Sequence, residues 1–183
     1  NKMLSTISGI DQLLSGIGSF NDKAALVVEK MAQAAYADSV AFLVPDERLS
    51  GLRMVASSGR ATQLPPLPQG FPYDLGITGR AFTSGKSILT NSYPQHADAL
   101  EHHIAVGVTS TLALPIMFDG IVIGIFIFGS RKSGHFTDQR VGILETVVNQ
   151  LGPLIENAKL HQEMAAIDEI ARTIRSTNSS PPS

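Results

Sequence analysis

Residues 110–129, with the sequence STLALPIMFDGIVIGIFIFG, constrain the fold of this chain more than any other segment. Two apolar runs flank Asp119-Gly120, a dipeptide that favours the tight turn of a β-hairpin. The second run is apolar at nearly every position, which predicts a strand covered on both faces. Pro115 cannot donate a backbone hydrogen bond, so we expect a bulge or a strand end there.

Strand patterns before this hairpin predict a larger antiparallel sheet. Residues 39–44 and 52–57 are strand-forming runs that end at PDE and at SG, so they predict a second hairpin. Residues 60–74 carry four prolines and predict a loop. A further short strand is predicted at residues 87–90.

Three helices are predicted around these strands. One covers residues 22–36, and a short one covers residues 78–85, where a glycine ends it. After Thr137, which can cap a helix, apolar residues step by three and four for about 35 residues. Pro153 lies inside this long helix and predicts a kink near Asn149.

Two narrow apolar seams predict an interface between copies of the chain. The early seam is Met3, Ile7, Ile10, Leu14 and Ile17, and the late seam is Leu160, Met164, Ile167 and Ile174. Exposed apolar stripes on long helices normally mark an interface. We therefore expect a homodimer whose contacts come mainly from residues 1–20 and 145–175.

Composition excludes several classes of function. The chain contains no cysteine, which removes disulfides and thiolate chemistry and leads us to expect a cytoplasmic protein. The formal net charge of −2 favours no nucleic-acid partner, and we expect no membrane span because no apolar run is long enough. A chain that starts at Asn1 is expected to be part of a longer protein. The sequence TNSSPPS predicts a disordered tail over residues 177–183.

Four segments, in this order, resemble the GAF domain, a small-molecule-sensing module of signalling proteins. They are ADSVAFLVPDE, LGITGRAFTSGKSILTN, STLALPIMFDGIVIGIFIFG and FTDQRVGILETVVNQLGPLIENAKL. The resemblance implies a sensor domain over residues 21–160. It also implies an N-terminal signalling helix over residues 1–20 and an outgoing connector helix over residues 161–176.

The fold implied by the resemblance is an α+β fold with a six-stranded antiparallel sheet. Helices 22–36 and 138–160 would pack on one face, and loops and short helices would cover a ligand cavity on the other. The family further implies dimerisation through terminal helices and an output domain of the same polypeptide, which would be a kinase, a cyclase or a transcriptional regulator. ENAKLHQEMAAIDEIARTIRST resembles the connecting helix of bacterial sensor kinases. No cofactor is identified by these features.

The chain departs from the best-characterised members of the family. It lacks the Asn-Lys-Phe-Asp-Glu signature of cyclic-nucleotide binders. Bilin-binding members and members that reduce free methionine sulfoxide need a cysteine that is absent. No nucleophile elbow, metal triad or dinucleotide fingerprint is present. We therefore predict no catalytic residues and no enzyme activity, which leaves two hypotheses: a ligand-binding sensor, or an interaction module with a closed cavity.

Residues 93–110, YPQHADALEHHIAVGVTS, contain three of the five histidines. The segment HADALEHH lacks the His-Glu-x-x-His spacing of zinc hydrolases, so we predict no metal site. It could instead form a solvated helix that covers the cavity, or offer a histidine as a hydrogen-bond partner to a ligand. Haem-binding members use a histidine from this general region, which keeps haem as an alternative.

The candidate ligand-binding residues combine aromatic side chains, these histidines and two threonines at the start of a strand. They are Phe42, Phe71, Tyr73, Phe82, Tyr93, His96, His102, His103, Thr109 and Thr111. Core packing is the alternative explanation for Phe42, and loop anchoring is the alternative for the aromatics that follow it. The predicted ligand is a small molecule bound beneath residues 71–111.

Overall fold

A computed structural model describes residues 2–59 and 70–179 of the chain. Most of the predicted loop 60–74, and residues 180–183 of the predicted tail, lie outside this description. Within it, no helix is both long enough and apolar enough to cross a lipid bilayer.

Six strands form one sheet, and each neighbouring pair is antiparallel. The strands are β1 Ser39–Asp46, β2 Gly51–Gly59, β3 Phe71–Pro72, β4 Ile88–Thr90, β5 Ser110–Phe118 and β6 Ile121–Ser130. Their order across the sheet is β3-β2-β1-β6-β5-β4. The predicted hairpins β1–β2 and β5–β6 are confirmed, and the apolar strand β6 lies near the centre with a neighbour on each side.

The turn between β5 and β6 has the predicted chemistry. Asp119 and Gly120 both take left-handed backbone conformations, with φ of 55° and 77°, as a tight hairpin turn requires. An irregularity was predicted near Pro115. The register of β5 with β6 shifts just beyond this residue, between Ile116 and Met117. Pro115 itself is paired with Ile125 in the regular register.

Five helices complete the described fold. They are α1 Lys2–Ser15, α2 Phe20–Ala35, α3 Gly76–Ser84, α4 Glu101–Ala105 and α5 Asp138–Asn178. The hydroxyl of Ser19 accepts a hydrogen bond from the Asp22 amide to cap α2, and Thr137 caps α5 in the same way. Helix α3 starts two residues before Thr78, the predicted start, and ends at Gly85 in a left-handed conformation as predicted.

Two local expectations need correction. Phe71–Pro72 form a strand where a loop was predicted, because the sheet edge beside β2 accepts a short strand with a proline. Thr177 and Asn178 belong to α5 instead of a disordered tail. The hydroxyl of Thr177 donates to the carbonyl of Thr173 within the preceding turn, at 2.9 Å.

Helices α1, α2 and α5 cover one face of the sheet, which we call the helix face. Side chains at alternate positions of the strands point into this layer, among them Val40, Phe42 and Val44 of β1. The ring of Phe42 stacks on Phe126 with centroids 5.0 Å apart. Helices 22–36 and 138–160 therefore share one face, as predicted.

The early apolar seam packs inside the same chain. Ile10 and Leu14 are buried against α2 and α5, and Met3 and Ile7 pack at the edge of that core. Only Ile17, in the loop after α1, is fully exposed. The expectation that this seam stays uncovered in a single chain is therefore wrong, because α1 folds back onto α2 and α5.

Helix α5 contains 41 residues, which exceeds the predicted length, and it leaves the domain in its second half. Near its middle it sits directly on β5: a Cβ placed at Gly152 would lie 2.0 Å from the carbonyl oxygen of Met117. Residues 161–170 are all exposed. The predicted boundary at residue 160 thus falls within one continuous helix.

Candidate functional site

The other face of the sheet, which we call the lid face, is covered by shorter elements. Helix α3 and the segment from residue 93 to residue 109 lie over it, and we call residues 93–109 the lid segment. The buried residues between sheet and cover form the lid-side cluster, which consists of Ala41, Leu43, Leu52, Phe71, Ile77, Ala81, Tyr93, Ala113 and Ile125. The ligand site that was predicted beneath residues 71–111 would therefore lie on this face.

The floor of the lid face is made of small side chains at one end. Ala41 and Ala113 belong to the lid-side cluster, so the alternation of the strands puts Ser39 and Thr111 on the same face. Thr111 pairs with Gly129, and Gly129 pairs with Ser39, so the three residues form a row across strands β5, β6 and β1. This floor leaves room for the covering elements to approach the sheet.

Tyr93 is the largest polar residue of the lid-side cluster. It starts a 3₁₀ turn, Tyr93–Gln95, and its amide donates to the Thr109 carbonyl at 2.6 Å, which fixes the two ends of the lid segment together. Its hydroxyl accepts a hydrogen bond from the Leu100 amide at 3.0 Å and lies 3.1 Å from Nδ1 of His103. Burial raises the pKa of the Tyr93 hydroxyl, which therefore keeps its proton at neutral pH.

His103 is the acceptor at the end of this chain of hydrogen bonds. Burial lowers the pKa of His103 from its usual 6.5 to about 4, and repulsion from His102 acts in the same direction. The imidazole is therefore neutral at pH 7, and the Tyr93 hydroxyl donates to its Nδ1. In this chain of hydrogen bonds, the Leu100 amide donates to the Tyr93 hydroxyl and the Tyr93 hydroxyl donates to His103. Each of the three groups therefore has a partner.

A second set of contacts fastens the lid segment to α3 from outside. The guanidinium of Arg80 binds Asp98 through two nitrogens, at 3.1 Å and 3.2 Å. The Asp98 amide donates to Nδ1 of His96 at 3.0 Å. Because Arg80 is largely exposed, this pair is a surface ion pair of modest strength.

The aromatic candidates divide into buried and peripheral residues. Phe71 is buried in the lid-side cluster, whereas Tyr73 and Phe82 are only half-buried at its edge. Their rings stack on each other with centroids 5.3 Å apart. The Thr83 hydroxyl donates to the Tyr73 carbonyl at 2.9 Å, which holds the β3–α3 loop against the helix.

The structure brings most, but not all, of the predicted site residues to the lid face. Residues gathered on or around it are Phe71, Tyr73, Phe82, Tyr93, His96, His103, Thr109 and Thr111. The assignment of Phe42 to the ligand site needs correction, because its side chain points into the helix face and stacks on Phe126. His102 is exposed. Its ring and the ring of His103 pack edge to face with centroids 4.5 Å apart, so His102 is connected to the site only through His103.

Sequence reasoning missed the groups that hold the lid segment. Arg80 and Asp98 are 18 positions apart, and no local pattern joins them. Ser39 looked like an ordinary strand start, although strand alternation from Ala41 could have assigned its face. Among the described residues, no group of three histidine, aspartate or glutamate side chains is arranged to hold a metal ion.

A separate groove of about 580 Å³ lies where α5 leaves the domain. It is bordered by the end of α1, the start of α2 and α5 residues that include Ala158, His161 and Gln162. The Phe20 amide at the start of α2 donates to Oε1 of Gln162 in this groove. The outgoing helix is thus attached to α2 beyond the edge of the sheet.

Solved structures with this fold come from several organisms. The GAF domain of a phosphoenolpyruvate-protein phosphotransferase (ptsP) from Coxiella burnetii has a TM-score of 0.72 and 22% identity, covering 87% of this chain and 96% of that chain. Free methionine-R-sulfoxide reductase from Neisseria meningitidis, in complex with its substrate, has a TM-score of 0.71 and 18% identity, covering 87% and 91%. The GAF domain from an Acinetobacter phosphoenolpyruvate-protein phosphotransferase has a TM-score of 0.69 and 21% identity, covering 87% and 96%. At these identities the likeness shows a common fold.

The prediction that the chain is not an enzyme is contradicted by these matches. Free methionine-R-sulfoxide reductases from three organisms are among the similar structures. The fold therefore serves enzymes as well as other GAF domains. The prediction rested on the absence of cysteine and of recognisable catalytic motifs, and it treated these absences as an exclusion, whereas activity depends on side chains grafted onto a fold that many functions share.

The family assignment rests on the sequence itself as well as on the fold. No curated protein matches the chain. The model of the GAF domain family matches residues 19–156, which span α2, the whole described sheet and the first half of α5. This chain belongs to the GAF domain family.

Proposed function

We propose that this GAF domain is a regulatory sensor that binds a small molecule between the lid face and the lid segment. The observation that carries the proposal is the hydrogen-bonded chain from Leu100 through the buried Tyr93 to His103, at the lid-side cluster. Burying polar groups costs desolvation, and apolar residues of the same size would hold the cover at least as well. A polar network that can exchange partners with a ligand is a reason to keep them.

The attachments of the lid segment are suited to opening. Three hydrogen bonds among Tyr93, Leu100, His103 and Thr109 lie within the segment itself. It is joined to the rest of the domain by the Thr109 amide, which donates to the Ser130 carbonyl at 2.8 Å, and by the surface ion pair of Asp98 with Arg80. A net hydrogen bond contributes about 1 kcal/mol and an exposed ion pair less, so these polar contacts by themselves favour the closed over an open conformation by only a few kcal/mol. A ligand that binds the open state would shift this equilibrium.

A ligand-free interaction module is the second candidate. It is favoured by the aliphatic and aromatic filling of the lid-side cluster, in which Leu43, Phe71, Ile77 and Ile125 are buried together. A domain of this kind would use the cover only as a second core. The two candidates differ in whether purified protein carries or takes up a small molecule.

Native mass spectrometry of the purified chain tests the sensor. We expect a bound small molecule, or ligand-induced thermal stabilisation, that is weakened by His103→Ala. Thr146→Ala on the outer side of α5, where the hydroxyl donates to the Gly142 carbonyl, is the control and should change neither signal. Bound mass that both variants retain equally would contradict the proposed site, and a chain that carries and takes up nothing would favour the interaction module.

We further propose that the signal leaves through α5 and that two copies of the chain pair along it. The late seam stays exposed along the outgoing helix, with Ile167 at 64% exposure. The helix sits on β5 at Gly152 and continues without a break to Asn178. This geometry supports a connection from the sheet to an output domain of the same polypeptide. Pairing of two such helices would bury the stripe.

Sedimentation of the wild-type chain and of Ile167→Asp tests the pairing. We expect a dimer that the charge in the seam converts to a monomer. Ile121→Asp, at an equally exposed isoleucine of the β5–β6 hairpin, is the matched control and should remain dimeric. A wild-type monomer at tens of micromolar, or a dimer indifferent to Ile167→Asp, would contradict pairing through α5.

A further inference from the structure

The rest of the domain stops packing against α5 near residue 158. Ala158 is the last buried side chain of this helix, and residues 161–170 are all exposed. We call residues 138–158 the packed half of α5 and residues 159–178 the outgoing half. Packing of an apolar face supplies most of the stability of a helix in a folded protein. The direction of the outgoing half relative to the domain therefore depends on few contacts.

Among the described residues, one side-chain hydrogen bond joins the outgoing half to the domain. The Phe20 amide donates to Oε1 of Gln162, and the other side-chain hydrogen bonds of the outgoing half remain within α5. Phe20 is the first residue of α2, and the first amides of a helix have no partner inside it. Ser19 accepts from two later amides of the same turn. Gln162 thus adds to the cap of α2 from another helix, and we call this contact the latch.

The domain leaves space beside the outgoing half of α5 but not beside the packed half. A Cβ at Gly152 would lie 2.0 Å from the Met117 carbonyl oxygen, so the packed half is in direct contact with β5. The groove of about 580 Å³ lies between the outgoing half and the end of α1, and small side chains such as Ala165 and Ala166 border it. This groove gives the outgoing half room to change its angle to the domain.

We propose that the latch sets the angle at which α5 leaves the domain and that its release lets the outgoing half tilt about the end of the packed half, near Ala158. The proposal rests on the proposed role of α5 as the outgoing path and adds the contact that regulates it. At 1.5 Å per residue the outgoing half is about 30 Å long, so a tilt of about 10° moves its end by about 5 Å. Because the latch also caps α2, a change in the α1–α2 loop that withdraws the Phe20 amide is transmitted directly to α5.

Distances between two spin labels measure the angle of the outgoing half. The chain contains no cysteine, so labels attach only at introduced ones. Helices α2 and α5 run antiparallel, because Phe20 meets Gln162 at one end and Tyr36 meets Arg140 at the other. Labels at Glu29→Cys and Arg172→Cys, nine and ten residues from the latch, are therefore roughly 30 Å apart along the helices.

A second label pair reports on the packed half. It combines Glu29→Cys with Gln150→Cys, at an exposed position of α5. Both pairs are measured in the full chain by double electron–electron resonance. An excess of unlabelled chain ensures that only distances within one molecule contribute, even if two copies pair.

The variants separate the latch from general support of the helix. Gln162→Ala should broaden the distance distribution of the first pair and displace its mean by several ångströms, while the second pair stays unchanged. Gln162→Glu keeps an acceptor for the Phe20 amide at the positive end of α2 and should behave as the wild type does. Glu163→Ala, at the exposed neighbouring position, is the control and should leave both pairs unchanged. Hydrogen exchange of the Phe20 amide should accelerate only in Gln162→Ala.

The outcomes distinguish the latch from the proposed function. An unchanged first pair in Gln162→Ala, or a wild-type distribution already as broad as that of the variant, overturns the latch and leaves the sensor and the pairing standing. Broadening of both pairs also overturns it, because Gln162 would then stabilise the helices in general. A chain that neither takes up a small molecule nor pairs refutes the proposed function, and the spin-label distances still decide whether the latch exists.

Discussion

The two faces of the sheet treat buried polar groups differently. On the helix face, Ser110 donates to the Lys132 carbonyl at 2.6 Å, and His135 binds the Ala35 carbonyl through Nε2 at 3.0 Å. On the lid face, the hydroxyls of Ser39 and Thr111 have no hydrogen-bond partner among the described residues, and neither oxygen is sealed from solvent. The first arrangement satisfies buried polar groups within the chain, and the second leaves hydroxyls that water can reach.

The apolar packing differs in the same direction. The helix face buries stacked rings such as Phe42 and Phe126 beneath three helices. The lid face has alanine, serine and glycine at one end of its floor, and a surface ion pair joins the lid segment to α3. The difference predicts that the helix face contributes more to the stability of this domain than the lid face does.

The largest loss of stability is expected from a substitution that disrupts the packing of the helix face. Phe42→Ala should lower the free energy of unfolding by about 3–5 kcal/mol, because it removes a fully buried ring stacked on Phe126. Phe82→Ala, which removes a half-buried ring at the edge of the lid face, should cost clearly less. Urea denaturation of both variants measures the contrast, and equal losses would show that the two faces contribute alike.

The next largest effect is expected from a substitution that loosens the lid segment. Tyr93→Phe keeps the buried ring but leaves the Leu100 amide without its acceptor, which should cost about 1–3 kcal/mol. Amide hydrogen exchange should accelerate through the lid segment and remain unchanged in α2. Tyr73→Phe is the matched control, because the Tyr73 hydroxyl has no partner among the described residues. Protection unchanged in Tyr93→Phe would mean that the hydroxyl does not hold the lid segment.

The pH dependence of stability sharpens the comparison further. Folded His103 stays neutral down to about pH 4, while the unfolded chain takes up this proton near pH 6.5. The unfolded state binds more protons between these values, so the free energy of unfolding falls as the pH drops from 6.5 toward 4. Allowing for partial solvent exposure of the ring, the loss is roughly 1–2 kcal/mol.

His103→Asn provides the comparison for this prediction, because asparagine has no titrating group at this position. Stability curves recorded at several pH values should be flatter for the variant between pH 6.5 and 4. His161→Asn, on the exposed part of α5, should retain the wild-type slope. Parallel curves for His103→Asn and the wild type would show that His103 is not held neutral in the folded chain.

The smallest effect concerns the outer fastening of the lid segment. Arg80→Ala should reduce stability by only about 0.2–1 kcal/mol, and added salt should diminish the difference. Arg53→Ala removes a similar exposed pair, with Asp46 on the β1–β2 side of the sheet. Only the Arg80 variant should show faster hydrogen exchange around Asp98. Equal hydrogen exchange in the two variants would show that the ion pair of Arg80 with Asp98 does not hold the lid segment closed.

Local patterns were sufficient for the secondary structure and much of the sheet. Asp119-Gly120 between two apolar runs predicts the β5–β6 hairpin, and the left-handed backbone angles at both residues agree. The cap at Thr137 predicts the start of α5. The same patterns could not predict the short strand at Phe71, because a two-residue edge strand is determined by its neighbour and not by its own propensity.

The sequence by itself determined the family, the order of the elements and the candidate histidines, because periodicity, caps and turns act over a few residues. Tertiary structure alone decided what each face meets. It turned Phe42 toward α2 and α5, buried Ile10 and Leu14 within the chain, and joined Tyr93 to His103. Such contacts depend on which elements lie opposite one another. An apolar stripe signals only that something must cover it, and the folded chain determines whether that partner is its own helix or another molecule.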